Sequence, residues 1–242
     1  MHFPRTIINL TVAALLAMPM LSHATSATPE APAPLTLGEQ FIVRAYAGQM
    51  EGNALSKVIK AKSLGIAVND STICVSLAGS LAGAFIANNK DAGLAKAKAG
   101  EQPARRLDIV AYSKSDDATS AVASLKDKEA IALLFGGQVS DADNYASVHN
   151  TLIELAKIDY QGALFLHLPV VAKKWLEKAA SEDDTVAAYL DRKNNVYGLM
   201  VNLEKGKGLI NQLSFKGAKQ NVAKTAFQAD LNDNFVSLFK RR

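Results

Sequence analysis

The sequence predicts an α/β protein with a helical N-terminal portion, βαβ units forming a parallel sheet, a C-terminal β-hairpin and a terminal amphipathic helix. Three observations predict it. Short, mainly apolar runs at Leu107–Tyr112, Ala130–Phe135 and Gly162–Leu168 alternate with amphipathic stretches of helical length, the pattern of parallel βαβ units. Two further runs, Val196–Leu203 and Leu209–Phe215, flank the glycine-containing turn Glu204-Lys-Gly-Lys-Gly208. Residues 36–87 carry capping signals and helical spacing.

Taken in order, the chain opens on Met1-His-Phe-Pro-Arg5, an apolar run from Ile7 to Leu21, and then Ser22-His-Ala24. A basic start, an apolar stretch and a small-x-small ending are the parts of a secretory signal, with cleavage expected after Ala24. The run is about 15 residues, shorter than the roughly 20 needed to span a bilayer, so no stable membrane span is expected in the mature chain. Residues 25–35 are rich in proline, alanine and hydroxyls and read as a flexible leader.

Thr36 and Glu39 have capping-box spacing, and Phe41, Ile42, Ala45 and Tyr46 then fall on one expected helical face. Asn53 is positioned to cap a second helix, with Gly65 as its stop. Asp70 or Ser71 caps a third, Ile73 to Ala87, which carries no charge. Its small residues Ser76, Gly79, Ser80 and Gly83 recur at spacings of three and four, so another helix can approach closely. Such a helix reads either as buried at the centre of the domain or as a surface for self-association or an envelope protein partner. Residues 90–106, rich in lysine and alanine, read as a short exposed helix and a linker. They divide a helical portion, 36–106, from an α/β portion, 107–242, two portions that could pack as one domain.

Beyond the linker, Asp116 or Asp117 caps a helix to Leu125, and Asp141 caps one to Lys157. Pro169 suits the first turn of a helix carrying Val171, Trp175 and Leu176, and Glu182-Asp-Asp184 caps one continuing to Leu190. The last helix is expected over about Asn221 to Lys240, with Val222, Phe227, Leu231, Phe235 and Leu238 on its apolar face.

Composition narrows function. One cysteine excludes an internal disulfide, which favours a bacterial periplasm, with release outside the cell as the alternative. The net charge is +4, and no basic stripe with interleaved aromatics occurs, so no nucleic-acid partner is expected. After cleavage only His149 and His167 remain, without ligand spacing to each other or to Cys74, so no metal is expected; no phosphate loop occurs, and no cofactor is expected. Ala78-Gly-Ser80 lacks the glycine that a nucleophile elbow needs two residues before its serine.

One arrangement could carry chemistry. In a parallel sheet, ligands bind beyond the carboxyl ends of the strands. The expected ends hold Ser113, Ser115 and Asp116, then Gly136, Gly137 and Gln138, then His167. Read as an enzyme, His167 is the base, Ser113 or Ser115 the nucleophile and Asp116 the orienter. Read as a binding site, Ser115, Gly136, Gly137 and Gln138 hold a polar ligand. Both readings require Ser113, Gly137 and His167 to meet in one pocket; otherwise these are ordinary turn and cap residues. The balance favours a non-enzymatic binding or accessory component of a larger envelope assembly. The alternatives are a hydrolase or transferase with a strand-end cleft, or a small-solute-binding protein.

Overall fold

The computed structural model describes residues 33–89 and 106–241. The expected signal, all but the end of the expected leader, and the expected helix and linker within 90–105 lie outside them. The architecture is α/β, as the sequence predicts: a seven-stranded sheet in the order β2-β1-β3-β4-β5-β6-β7, with helices on both faces. The strands are β1 (Leu64–Asn69), β2 (Leu107–Tyr112), β3 (Ala130–Leu134), β4 (Ala163–Leu166), β5 (Val196–Asn202), β6 (Lys207–Lys216) and β7 (Lys219–Asp230). The first five run parallel; β6 and β7 are antiparallel additions.

The two faces separate by strand alternation. Leu64, Ile66 and Val68 of β1, with Ala132, Leu134 and Phe165, face α1 (Leu37–Ala54), α2 (Thr72–Asn88) and α8 (Asp233–Lys240). Ala67, Ile131, Leu133, Leu164 and Leu166 face the other layer. That layer holds α3 (Ala118–Leu125), α4 (Asp141–Lys157), α5 (Leu168–Ala172), α6 (Trp175–Glu182) and α7 (Asp184–Arg192). Among the described residues, no helix is long and apolar enough to cross a membrane.

Several local signals act as expected. The Thr36–Glu39 capping box is formed in both directions, and Ser71 caps α2 through Cys74 N. Asp183 caps α7, and Pro169 lies in the first turn of α5. Burial of Trp175 anchors α6.

Asp141 does not cap α4, because Ser140 does so through Asp143 N, and the helix opened by Pro169 ends at Ala172, so that Trp175 and Leu176 belong to α6 instead. Four further expectations fail. The second helix capped by Asn53 does not exist: α1 runs through Asn53, loosens into a π-turn over Leu55–Ile59, and stops at Lys60 with φ 57°. Gly65 is therefore not a helix stop but part of β1, a strand buried along its whole length and so without the alternation that marks a half-exposed one. The apolar face of α1 is also rotated. Val43, Ala47, Gly48 and Ala54 point inward together with Arg44 and Glu51, while Ile42 is 46% exposed. Finally, Asn221–Asp230 is not helical. The two-residue turn Gly217-Ala218, with φ 54° and 66°, folds β7 back on β6 before a shorter α8.

The small-residue helix is neither fully buried nor wholly free. Gly48 and Gly52 of α1 sit against it: a Cβ on Gly48 would lie 2.6 Å from Leu77 O, and one on Gly52 2.4 Å from Leu81 O. These two glycines bring the parallel helices into backbone contact. On the far side of α2, Gly79 and Gly83 are uncovered among the described residues, between Val75 and Ile86.

Candidate functional site

The strand order creates a switch point. After β1 the chain leaves to α2 on one face, and after β3 to α4 on the other, so the crevice for a ligand would lie between β1 and β3. The protein fills that crevice with its own polar groups. Asn69, the last residue of β1, donates from Nδ2 to Gly136 O and to Asn144 Oδ1, both at 2.9 Å. Asn144 Oδ1 also accepts from Gly136 N at 2.8 Å, and its Nδ2 donates to Val139 O and Ser140 O. Cys74 Sγ donates to Gly136 O at 3.0 Å. Both asparagines are buried. Gly136 and Gly137 adopt φ 136° and 83°, conformations that side-chain-bearing residues resist, and this lets the β3 loop fold onto Asn144.

Beside this plug lies a buried charged cluster. Arg44 and Glu51 stand two turns apart on the inward face of α1, about 10 Å along its axis. His167, at the end of β4 where it precedes α5, reaches between them. Its Nε2 is 2.9 Å from an Arg44 guanidinium nitrogen, and its Nδ1 is 2.6 Å from Glu51 Oε1. A guanidinium has only donors, so Nε2 accepts and Nδ1–H donates to the carboxylate. Arg44, Glu51 and His167 are 5%, 0% and 2% exposed, so the opposite charges of the outer two compensate each other across a neutral ring. Glu51 Oε2 is buried and has no hydrogen-bond partner among the described residues. Gly137 ties cluster to plug: a Cβ there would lie 2.8 Å from Cys74 Sγ and 3.4 Å from Arg44 Nη2.

The residues named from sequence therefore separate into two places. Gly136 and His167 are buried within the plug and cluster, and Gly137 and Gln138 continue outward from them, exposed. Ser113, Ser115 and Asp116 follow β2, which is the sheet edge. Three strand spacings, about 14 Å, separate the ends of β2 and β4. Ser113 is exposed, and its backbone N–H donates to Asp117 Oδ2. Ser115 and Asp116 line a different cavity, with Asn150, Glu154 and Lys157. The Ser–His–Asp arrangement is thus not assembled, because β1 and β3 intervene between the serines and His167. Tyr112, at the end of β2, bonds Thr151 instead, and burial pushes its hydroxyl up to about 12.

Sequence reasoning missed Arg44, Glu51, Asn69 and Asn144. Their signal is faint: a charge seven residues from another charge, on the stripe that also holds Ala47, Gly48 and Gly52. Among the described residues, no group of three His, Cys, Asp or Glu side chains could hold a metal ion.

Fold and site define a doubly wound, three-layer α/β protein whose switch point is closed by internal hydrogen bonds. A family model described as "Uncharacterized protein" matches residues 40–238, and the chain belongs to that family. No curated protein and no solved structure matches it.

Proposed function

We propose that this is an exported envelope protein, periplasmic, that acts as a non-enzymatic binding or accessory component of a larger assembly. The observation that carries the reading is the outer face of α2. Val75, Gly79, Gly83 and Ile86 lie along one stripe; Val75 and Ile86 are 43% and 48% exposed, and outside α2 itself no atom of the described residues comes within 4 Å of where a Cβ on either glycine would stand. Exposed apolar side chains flanking backbone that can be closely approached suit a partner helix. The state of His167 supports the same reading, because its basic nitrogen faces the Arg44 guanidinium, which has no proton to give up near neutral pH, and not a nucleophile.

Native mass spectrometry of the mature chain, purified gently from the envelope of its host, tests this. The expected result is a companion protein or an oligomer that is lost in Gly79→Leu/Gly83→Leu. A bare monomer, or a complex indifferent to that double substitution, rejects the α2 reading. A second reading, a small-solute or catalytic site at the strand ends, is favoured by one atom, the buried Glu51 Oε2, which would accept from a donor-bearing ligand. Under it, the monomer carries a small molecule that His167→Ala releases.

A further inference from the structure

The sheet face under α1 and α8 holds a cavity that lies apart from both the α2 stripe and the strand ends, so a ligand there is independent of the α2 surface. It measures about 250 Å³ and lies between α1, β7 and the start of α8. A pair of small residues creates it. Gly208 of β6 faces Ala229 of β7 across the ladder, and Ala229, two residues beyond Phe227, shares the face of the sheet that Phe227 occupies. Neither residue raises a long side chain toward α1. The Met50 thioether sinks over Gly208, where a Cβ would lie 2.3 Å from its Sδ, and among the described residues the space above Ala229 is left open.

The walls are of two kinds. On the side of β7 and α8, Phe227, Leu231 and Phe235 are apolar, and Phe235 meets Tyr46 edge-on with ring centroids 6.4 Å apart. On the side of α1, Gln49, Asn53 and Lys57 follow one another at spacings of four and so share one stripe of the helix and its closing π-turn. Among the described residues, the Gln49 amide and the Lys57 ammonium have no hydrogen-bond or ion-pair partner, and Asn53 engages only its Oδ1, which accepts from Asn88 Nδ2. All three therefore have N–H donors to spare. Asp230 also stands on the rim, but its carboxylate is held by Lys207, so these two with Lys57 leave one net positive charge.

We propose that this cavity binds a small apolar monocarboxylate, its carboxylate on Lys57 and Asn53 and its hydrocarbon body over Ala229, between Met50, Phe227 and Phe235. A carboxylate only accepts hydrogen bonds, and it meets donors that lack an acceptor. A phosphate would bring nearly two negative charges to a single ammonium. The apolar wall excludes water from the body of the ligand, while the donor stripe fixes its orientation, the division of labour expected of a small-molecule site. At the roughly 30 Å³ that a water molecule occupies, the volume holds about eight non-hydrogen atoms, so the ligand is about the size of benzoate.

Amide NMR titration of the mature full chain with benzoate tests the proposal, with benzamide as the uncharged isostere. The expected result is saturable shifts confined to residues 46–57 and 227–235. Benzamide should bind about tenfold more weakly, having lost the charge-assisted contact. Lys57→Gln, at an exposed position, should weaken benzoate by the same factor and leave benzamide unchanged. Ala229→Leu, which fills the cavity from the sheet, should abolish binding of both; circular dichroism checks that it folds, and Ala229→Val replaces it if it does not. The proposal is overturned by the lack of a saturable shift, by shifts centred elsewhere, by equal binding of benzoate and benzamide, or by benzoate binding that survives Lys57→Gln or a folded Ala229 variant undiminished. A peptide ending in phenylalanine offers the same carboxylate; if it binds more tightly than benzoate, the site takes a chain terminus and the small-acid assignment fails.

Discussion

The inward stripe of α1 and the outward stripe of α2 contain the same local element, two glycines four residues apart, and use it in opposite ways. Gly48 and Gly52 are closed over by the backbone of α2 and share their face with Arg44 and Glu51. Gly79 and Gly83 look outward between Val75 and Ile86. A glycine pair permits close approach but does not say by what. On α1 the approach is complete within the chain, and on α2 it remains open among the described residues. A charged pair sits on the buried stripe and apolar side chains sit on the open one, the reverse of what amphipathic patterning expects. The buried charges are tolerated because His167 links them, so neither is left alone in an apolar interior.

Substitutions sharpen this contrast. The largest effect is expected at Glu51→Ala, which removes the buried carboxylate that accepts from His167 Nδ1–H; urea unfolding should show a loss of about 4 kcal/mol. Glu51→Gln, which keeps an acceptor for His167 Nδ1–H, should cost less than Glu51→Ala. Next is Gly52→Ala. Its new methyl would stand 2.4 Å from a carbonyl oxygen of α2, so the helices must part, at a cost of about 3 kcal/mol in the same measurement. The sign should then reverse on the outer stripe. Gly79→Ala meets no neighbour among the described residues and removes a helix-interior glycine, and should stabilise the fold by about 1 kcal/mol. If Gly52→Ala and Gly79→Ala shift stability alike, the two pairs are not used differently and the comparison fails.

An effect of pH rather than of packing is expected away from both helices, where a cation is buried against carbonyls and aromatic rings. Lys193 Nζ donates to Tyr160 O and Gly162 O and lies near the rings of Tyr160 and Tyr189; burial lowers its pKa from 10.5 to about 8. Between those values the unfolded chain holds a proton that the folded chain has released, so stability should rise as pH climbs from about 8 toward 10. Above pH 10 the gain is opposed by tyrosines such as Tyr112, whose hydroxyl ionises later in the folded chain than in the unfolded one. Chemical denaturation at stepped pH should show the slope in the parent and its absence in Lys193→Met.

Elements whose signal is local were legible in the sequence. Thr36 and Glu39 need only each other to make a capping box, and Pro169 needs only its own fixed φ to open a helix. The apolar runs that became β3 and β4 declare themselves because a strand buried on both faces needs no polar residue, and the turn chemistry of Glu204–Gly208 marks the β5–β6 hairpin. β1 obeys the same rule, but its six residues follow a helix without a visible stop, since the left-handed residue that ends the turn is Lys60 rather than a glycine. β7 is hidden for a related reason: Val222, Phe227 and Leu231 keep helical spacing, and pairing with β6 overrides it.

By itself, then, the sequence determined the class of fold, several of its caps and the residues available at the strand ends, because these follow from spacing along the chain. Only the tertiary structure decided which of those residues meet. The insertion of β1 between β2 and β3 moved Ser113 and Asp116 away from His167, and the docking of α1 brought Arg44 and Glu51 to it across more than a hundred residues of chain. Strand order and helix docking are set by the burial of whole faces at once, a sum over many side chains that no local stretch records.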